Sequence, residues 1–160
     1  MDIRNVMGYT IGGFLFIVLI PALMWWVSGH VAFGMGKLIC FLLLAVAGAA
    51  LSIWAIVYMK TAGKGNPLDA FNHEIALRTS NLMTDGPYKI CRNPMLLGVF
   101  IYYIGVLIYL QTWQALLIFA IYVLVMMVQV SKEEKRLEQD FGEEYRAYKK
   151  KTKKLIPFIW

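Results

Sequence analysis

At 160 residues the chain is long enough for one domain, and 59% of it is hydrophobic, more than a water-soluble core of that size requires. Only 16% is charged, concentrated between and after the apolar runs, which excludes an ordinary soluble enzyme and points to an integral membrane protein. The net charge of +6 follows the apolar segments, a pattern suited to the anionic surface of a bilayer. It does not suit nucleic acid, because the aromatic residues lie mostly inside the apolar runs.

The first apolar run covers 6–27. It is longer than a signal-peptide core and lacks a small-residue cleavage signature, so a retained transmembrane helix is expected. Pro21 should bend it, and Trp25 and Trp26 suit a membrane interface. After a glycine-rich turn over 28–37, a second span is expected over 38–59. There Ala45, Ala47, Gly48, Ala49 and Ala50 supply the small side chains that let membrane helices approach closely.

A polar connector occupies 60–94. It opens on a glycine-rich turn, Lys60–Pro67, that lacks both the Gly-Lys-Ser/Thr ending and the preceding strand of a phosphate-binding loop, which rules out that reading. The apolar stretch after it, 95–130, is too long for one crossing and is divided at Gln111-Thr112-Trp113-Gln114. Two spans follow, about 95–110 and 114–130, each roughly 24 to 27 Å long at the helical rise, joined as a hairpin.

Beyond 130 the chain turns abruptly charged. Glu134, Leu137, Phe141, Tyr145 and Tyr148 recur at three- and four-residue steps and give the C-terminal amphipathic segment, 131–160, one semi-apolar face. The expected fold class is therefore all-α integral membrane, a single domain of four transmembrane helices with a C-terminal helix at the cytoplasmic face. Lys60, Lys64, Arg78, Lys89 and Arg92 lie in the connector and further basic residues in the tail, whereas the hairpin turn has none. By the positive-inside rule the connector and both termini share the cytoplasmic side.

The second half of the connector carries most of the usable chemistry. Pro87 and Pro94 bias the residues before them away from helical geometry, and Pro94 suits the first position of a helix with Asn93 as its N-cap. Such a helix start, with Tyr88 and Arg92 beside it, suits an anionic or zwitterionic small molecule. Cys91 is read as a spacer. Cys40 and Cys91, like His30 and His73, have no spacing that implies a disulfide or a metal.

In order and spacing, Gly86-Pro87-Tyr88, Arg92-Asn93-Pro94-Met95 and Gly98, then Glu133-Glu134, Leu137, Phe141-Gly142, Tyr145, Tyr148 and Ile156-Pro157, resemble the isoprenylcysteine carboxyl methyltransferase family and its phospholipid methyltransferase relatives. Gly63–Pro67 also resembles the glycine-rich turn that precedes this motif in bacterial members. The resemblance covers about 60–157. It implies a membrane methyltransferase that uses S-adenosylmethionine, in the cytoplasmic membrane of a prokaryote. Carried over residue by residue, it implies cofactor binding by Tyr88, Arg92, Asn93, Pro94, Met95, Gly98, Glu133, Glu134 and Tyr145, with Arg92 and Glu134 as catalytic residues.

The chemistry of those side chains agrees with the resemblance. Arg92 and the N–H groups of the helix start suit a carboxylate, and Glu133 or Glu134 suits an ammonium. Tyr88, Tyr145 or Tyr148 suits adenine stacking or a sulfonium. Asn93 stands where the eukaryotic isoprenylcysteine enzymes commonly carry His, so their substrate is not carried over. The expected acceptor is a lipophilic small molecule or lipid bearing a carboxylate, a thiol or an amine. The rivals are a nicotinamide-dependent membrane reductase of related fold and a non-enzymatic membrane scaffold. No metal and no nucleic acid is expected, and the oligomeric state is open.

Overall fold

The structure, a computed structural model, describes residues 14–29, 31–63, 69–70, 73–74 and 81–156. Within them the protein is helical, apart from a two-residue antiparallel ladder of β1 (Asp69–Ala70) on β2 (His73–Glu74). Helix α1 (Ile20–Ser28) is entered through a π-helical turn, Phe14–Leu19, and α2 covers Met35–Thr61. Helix α3 (Pro94–Leu110) and helix α4 (Trp113–Lys151) complete the set. Helices α2 and α4 are long and apolar enough to cross a membrane, and α3 and the Phe14–Ser28 stretch are shorter apolar helices. Of the expected first span, 6–13 lies outside the described residues.

Large apolar side chains point outward: Leu43, Val46 and Leu124 expose 66%, 69% and 67% of their surface. Such a surface suits lipid, not water. Inside, Tyr103 is fully buried, stacked on Tyr122 at 4.9 Å and on Phe119 at 5.7 Å between ring centroids. These three rings join α3 to α4.

The break in the first helix has a definite cause. Pro21 has no N–H, so a carbonyl one turn earlier loses its helical partner: Ile17 by the α pattern, Phe16 by the π pattern. Two tyrosines of α3 donate to this pair of carbonyls, so neither is left bare. Tyr102 Oη donates to the Ile17 carbonyl at 3.1 Å and Tyr103 Oη to the Phe16 carbonyl at 2.8 Å. At the far end of α1, the Ser28 and Thr112 hydroxyls meet at 2.6 Å and tie the helix to the hairpin turn.

Helices α2 and α3 make the tightest contact, at Gly48 and Gly98. A Cβ on Gly98 would stand 2.4 Å from the Gly48 carbonyl oxygen and 2.3 Å from Ser52 Oγ, so only glycine permits this approach. One turn earlier, Ser52 Oγ donates to the Met95 carbonyl at 3.0 Å. This contact fixes the start of α3 against α2, and with it the segment that leads into α3.

Helix α4 carries both the expected fourth span and most of the amphipathic segment after it, the span continuing past 130 without a break. No proline or glycine between 114 and 141 interrupts it. It breaks first at Gly142, whose φ of 53° and ψ of −123° lie outside helical space. An L-residue with a Cβ is strained there, so the glycine is what lets 143–151 leave the axis. The helix stops at Lys151, and the next five residues, 152–156, form an irregular strap.

Candidate functional site

The connector, the polar half of α4 and the strap converge on one region. The connector reaches it through a 3₁₀ turn, Gly86–Lys89, in which the Ile90 N–H closes on the Pro87 carbonyl at 3.1 Å. Two prolines disfavour a continuing α-helix here, and the tight turn buries Pro87 and Tyr88. The bend at Gly142 brings Tyr145 and Tyr148 against Tyr88, and Tyr58, Met59, Leu82, Met83, Leu137 and Phe141 pack around the three rings. Tyr148 Oη donates to the Tyr88 carbonyl at 2.6 Å, which locks α4 to the turn.

Beside this aromatic cluster lies a buried ion pair. Arg92 Nε and Nη2 both reach Glu134 Oε1 at 2.7 Å, and the two side chains are only 9% and 8% exposed. Away from water such a charge-assisted bond is strong, and loss of either partner leaves a buried charge unmatched. The other carboxylate oxygen, Glu134 Oε2, receives Lys154 Nζ at 3.2 Å, and Lys154 also donates to Ser131 Oγ at 3.2 Å.

The strap holds this arrangement through its backbone. Arg92 Nη1 donates to the carbonyls of Thr152 and Lys149, the latter at 3.2 Å, and the Arg92 backbone N–H donates to the Lys153 carbonyl at 2.9 Å. Asn93 Nδ2 donates to the Lys154 carbonyl at 2.8 Å. Leu155, 3% exposed, anchors the strap in the apolar core.

Burial shapes the titration of the hydroxyls. Burial first, then the charge of Glu133, push the Tyr88 hydroxyl far above its ordinary value. Burial and then Glu134 raise Tyr145, with Arg92 opposing. Tyr148 is raised chiefly by burial. The Cys91 thiol is pushed up to about 11 by burial, against the lowering effects of the Asn93 backbone and Arg92. All four groups stay protonated near neutral pH.

The residues singled out in the sequence separate into two sets. Arg92, Glu134, Tyr88 and Tyr145 come together, and Glu133 is near enough for its charge to act on both tyrosines. Asn93 does precede α3, but its side chain makes no capping bond, because its amide is turned to the Lys154 carbonyl of the strap. Pro94 is the buried first residue of α3. Met95 and Gly98 serve the contact with α2, Met95 through its carbonyl and Gly98 through its missing side chain. The Cβ position of Gly98 faces Gly48 and Ser52, so this glycine has a part in helix packing.

Sequence reasoning missed the strap. Thr152, Lys153 and Lys154 act through backbone carbonyls, which leave no trace in residue type, and the basic run Lys149–Lys154 reads as a solvated charge cluster. No signal in the sequence singles out Lys154 from its neighbours.

Comparison with known proteins identifies relatives of the chain. The chain is 30% identical over 149 residues to protein-S-isoprenylcysteine O-methyltransferase B of Arabidopsis thaliana, covering 89% of this chain and 66% of that protein. It is 29% identical over 106 residues to protein-S-isoprenylcysteine O-methyltransferase of Schizosaccharomyces pombe, covering 64% of this chain and 45% of that protein. The chain thus spans about half to two thirds of the length of these curated relatives. No solved structure matches it. The family model described as phospholipid methyltransferase matches residues 37–144, well over half of the sequence and including the whole stretch from Gly48 through Arg92 and Glu134 to Gly142, so the chain belongs to the phospholipid methyltransferase family.

Proposed function

We propose that the protein is an integral membrane methyltransferase that takes its methyl group from S-adenosylmethionine and passes it to a lipophilic acceptor bearing a carboxylate, a thiol or an amine. The observation that carries this reading is the Arg92–Glu134 pair, held at one end of the helices with the buried rings of Tyr88, Tyr145 and Tyr148 beside it. The two relatives, whose names specify O-methylation of isoprenylcysteine, support an acceptor with a long apolar tail. In this reading four helices span the membrane, and the connector, the strap and both termini face the cytoplasm.

The residues present fit the cofactor. Tyr145 Oη is buried and has no hydrogen-bond partner among the described residues, an unmade bond beside Glu134 that a polar ligand would satisfy. Glu134 is the carboxylate suited to its amino group, Arg92 the cation suited to its carboxylate, and the tyrosine rings offer faces to adenine or a sulfonium. When bound, the cofactor supplies an electrophilic methyl carbon.

The protein contributes placement and dryness. Arg92 and Glu134 are fixed on three segments at once, so a ligand held by them has one orientation, and orientation alone is worth up to about 7 to 11 kcal/mol. Helix surfaces suited to lipid let an apolar acceptor approach sideways, where little water competes for its charge.

Isothermal titration of the detergent-solubilised protein with S-adenosylhomocysteine tests the reading. The wild type should bind, and Glu134→Gln, which keeps the shape but removes the charge, should weaken binding by about tenfold or more. A folded variant with wild-type affinity removes Glu134 from the site. A wild type that does not bind defeats the methyltransferase reading.

A further inference from the structure

The two oxygens of Glu134 are held in unlike ways. Oε1 is clamped by Arg92, and Arg92 is itself fixed by the carbonyls of Lys149, Thr152 and Lys153. Oε2 is met by Lys154, at the longer distance of 3.2 Å, through a flexible side chain that is 20% exposed. The backbone of Lys154 is secured independently, by Asn93 on its carbonyl and by the buried side chain of Leu155 next to it. The ammonium can therefore leave Oε2 by rotation about its own side-chain bonds, while the strap and the Arg92 clamp stay in place.

We propose that Lys154 is an affinity-determining residue of the site: its ammonium occupies the position on Glu134 Oε2 that the amino group of the incoming ligand takes over. This rests on the methyltransferase reading above. A lysine ammonium and an amino-acid ammonium carry the same charge and the same three donors, and two ammonium groups on one carboxylate oxygen would repel each other at close range, so they are alternatives. Ligand binding then requires the state in which Oε2 is open, and the apparent affinity falls by the fraction of molecules in that state. Tyr145 Oη, buried near the same carboxylate and unpartnered among the described residues, offers the incoming group a second contact that Lys154 does not use. Lys154 is thus a built-in stand-in for part of the ligand, carried by the strap that also positions Arg92.

The sign of the effect separates this from the simpler role of a cation that helps to hold the ligand's carboxylate. The test is titration of the purified protein in detergent with two ligands, S-adenosylhomocysteine and its analogue lacking the amino group. Lys154→Met should bind S-adenosylhomocysteine about three- to tenfold tighter, the range expected from removing a partly exposed competing ion pair. Its affinity for the deaminated analogue should equal that of the wild type, and Lys154→Arg should restore wild-type binding of both. Lys154→Gln serves as a second neutral variant, with melting temperature as the check on folding. Weaker or unchanged binding of S-adenosylhomocysteine by the neutral variants, or the same change for both ligands, overturns the proposal. Failure of the wild type to bind S-adenosylhomocysteine is a different outcome, and it overturns the methyltransferase reading together with this inference.

Discussion

Replacing Gly98 by alanine tests whether the helix contact, not a ligand, accounts for that glycine. The added Cβ would meet the Gly48 carbonyl oxygen at 2.4 Å and the Ser52 backbone nitrogen at 2.9 Å, whereas ordinary contact begins at 3.4 Å. Both obstacles are backbone atoms and cannot turn aside, so α3 must retreat from α2 by about 1 Å at this point. Overpacking of this kind destabilises by roughly 1 to 3 kcal/mol, which corresponds to a melting temperature lower by roughly 3 to 10 °C. The retreat also reaches Met95, whose carbonyl is bonded to Ser52, and three residues further back it displaces Arg92. A shift of about 1 Å in a positioning group can reduce turnover by about a hundredfold. Thermal unfolding in detergent, followed by tryptophan fluorescence, reads the first effect, and methyl transfer from labelled cofactor to membrane extract reads the second. A Gly98→Ala variant with wild-type melting but lost S-adenosylhomocysteine binding would refute the reasoning and return Gly98 to the ligand.

Gly142→Ala isolates backbone strain, since an added Cβ meets nothing within 4 Å while φ is +53°. The expected cost is about 1 to 3 kcal/mol, and relaxation toward a straight helix would lift Tyr145 and Tyr148 from Tyr88; faster tryptic cleavage at Lys149–Lys151 checks this, and an unchanged rate contradicts it. Cys91 is buried and its thiol stays neutral up to about 11, so iodoacetamide at pH 8 should spare it in the folded protein. The folded pKa lies above the ordinary 9.0, so this thiol favours the fold fully below pH 9 and loses that contribution as pH rises to about 11. Mass spectrometry should therefore find Cys91 labelling climbing only over that upper range, and ready labelling at pH 8 in folded protein would show the burial to be wrong.

The sequence carries the helical architecture plainly, because long apolar runs without charges have few other solutions, and the described residues agree, helical apart from the short ladder of β1 on β2. It also carries the approach of Arg92 to Glu134: charge counting puts both polar segments on one side, and a hairpin must bring the second back to the first. What it does not carry is contact made by backbone. The strap is invisible because its carbonyls belong to any residue. The close approach at Gly48 is legible as a cluster of small residues, whereas its partner, Gly98, is not. Gly98 reads in sequence as part of a ligand motif, and its packing against Gly48 becomes visible only in the structure. Asn93 shows the opposite limit: its type and position fit a helix cap, yet a better-placed acceptor on the strap, the Lys154 carbonyl, takes its amide.

The tyrosine donors beside Pro21 bear on how the protein is made. In the proposed four-span reading the Phe16 and Ile17 carbonyls lie in the hydrocarbon core, where one without a partner costs several kcal/mol, and the donor for Ile17 lies 85 residues further along the chain, at Tyr102. When the first helix leaves the ribosome its bend is incomplete. It must stay near water, lipid headgroups or the insertion machinery until α3 has been synthesised. Settling of the first helix is thereby coupled to arrival of the helix that also carries Arg92 to its place, so a chain that stops before Tyr103 should be held as an unfinished insertion intermediate.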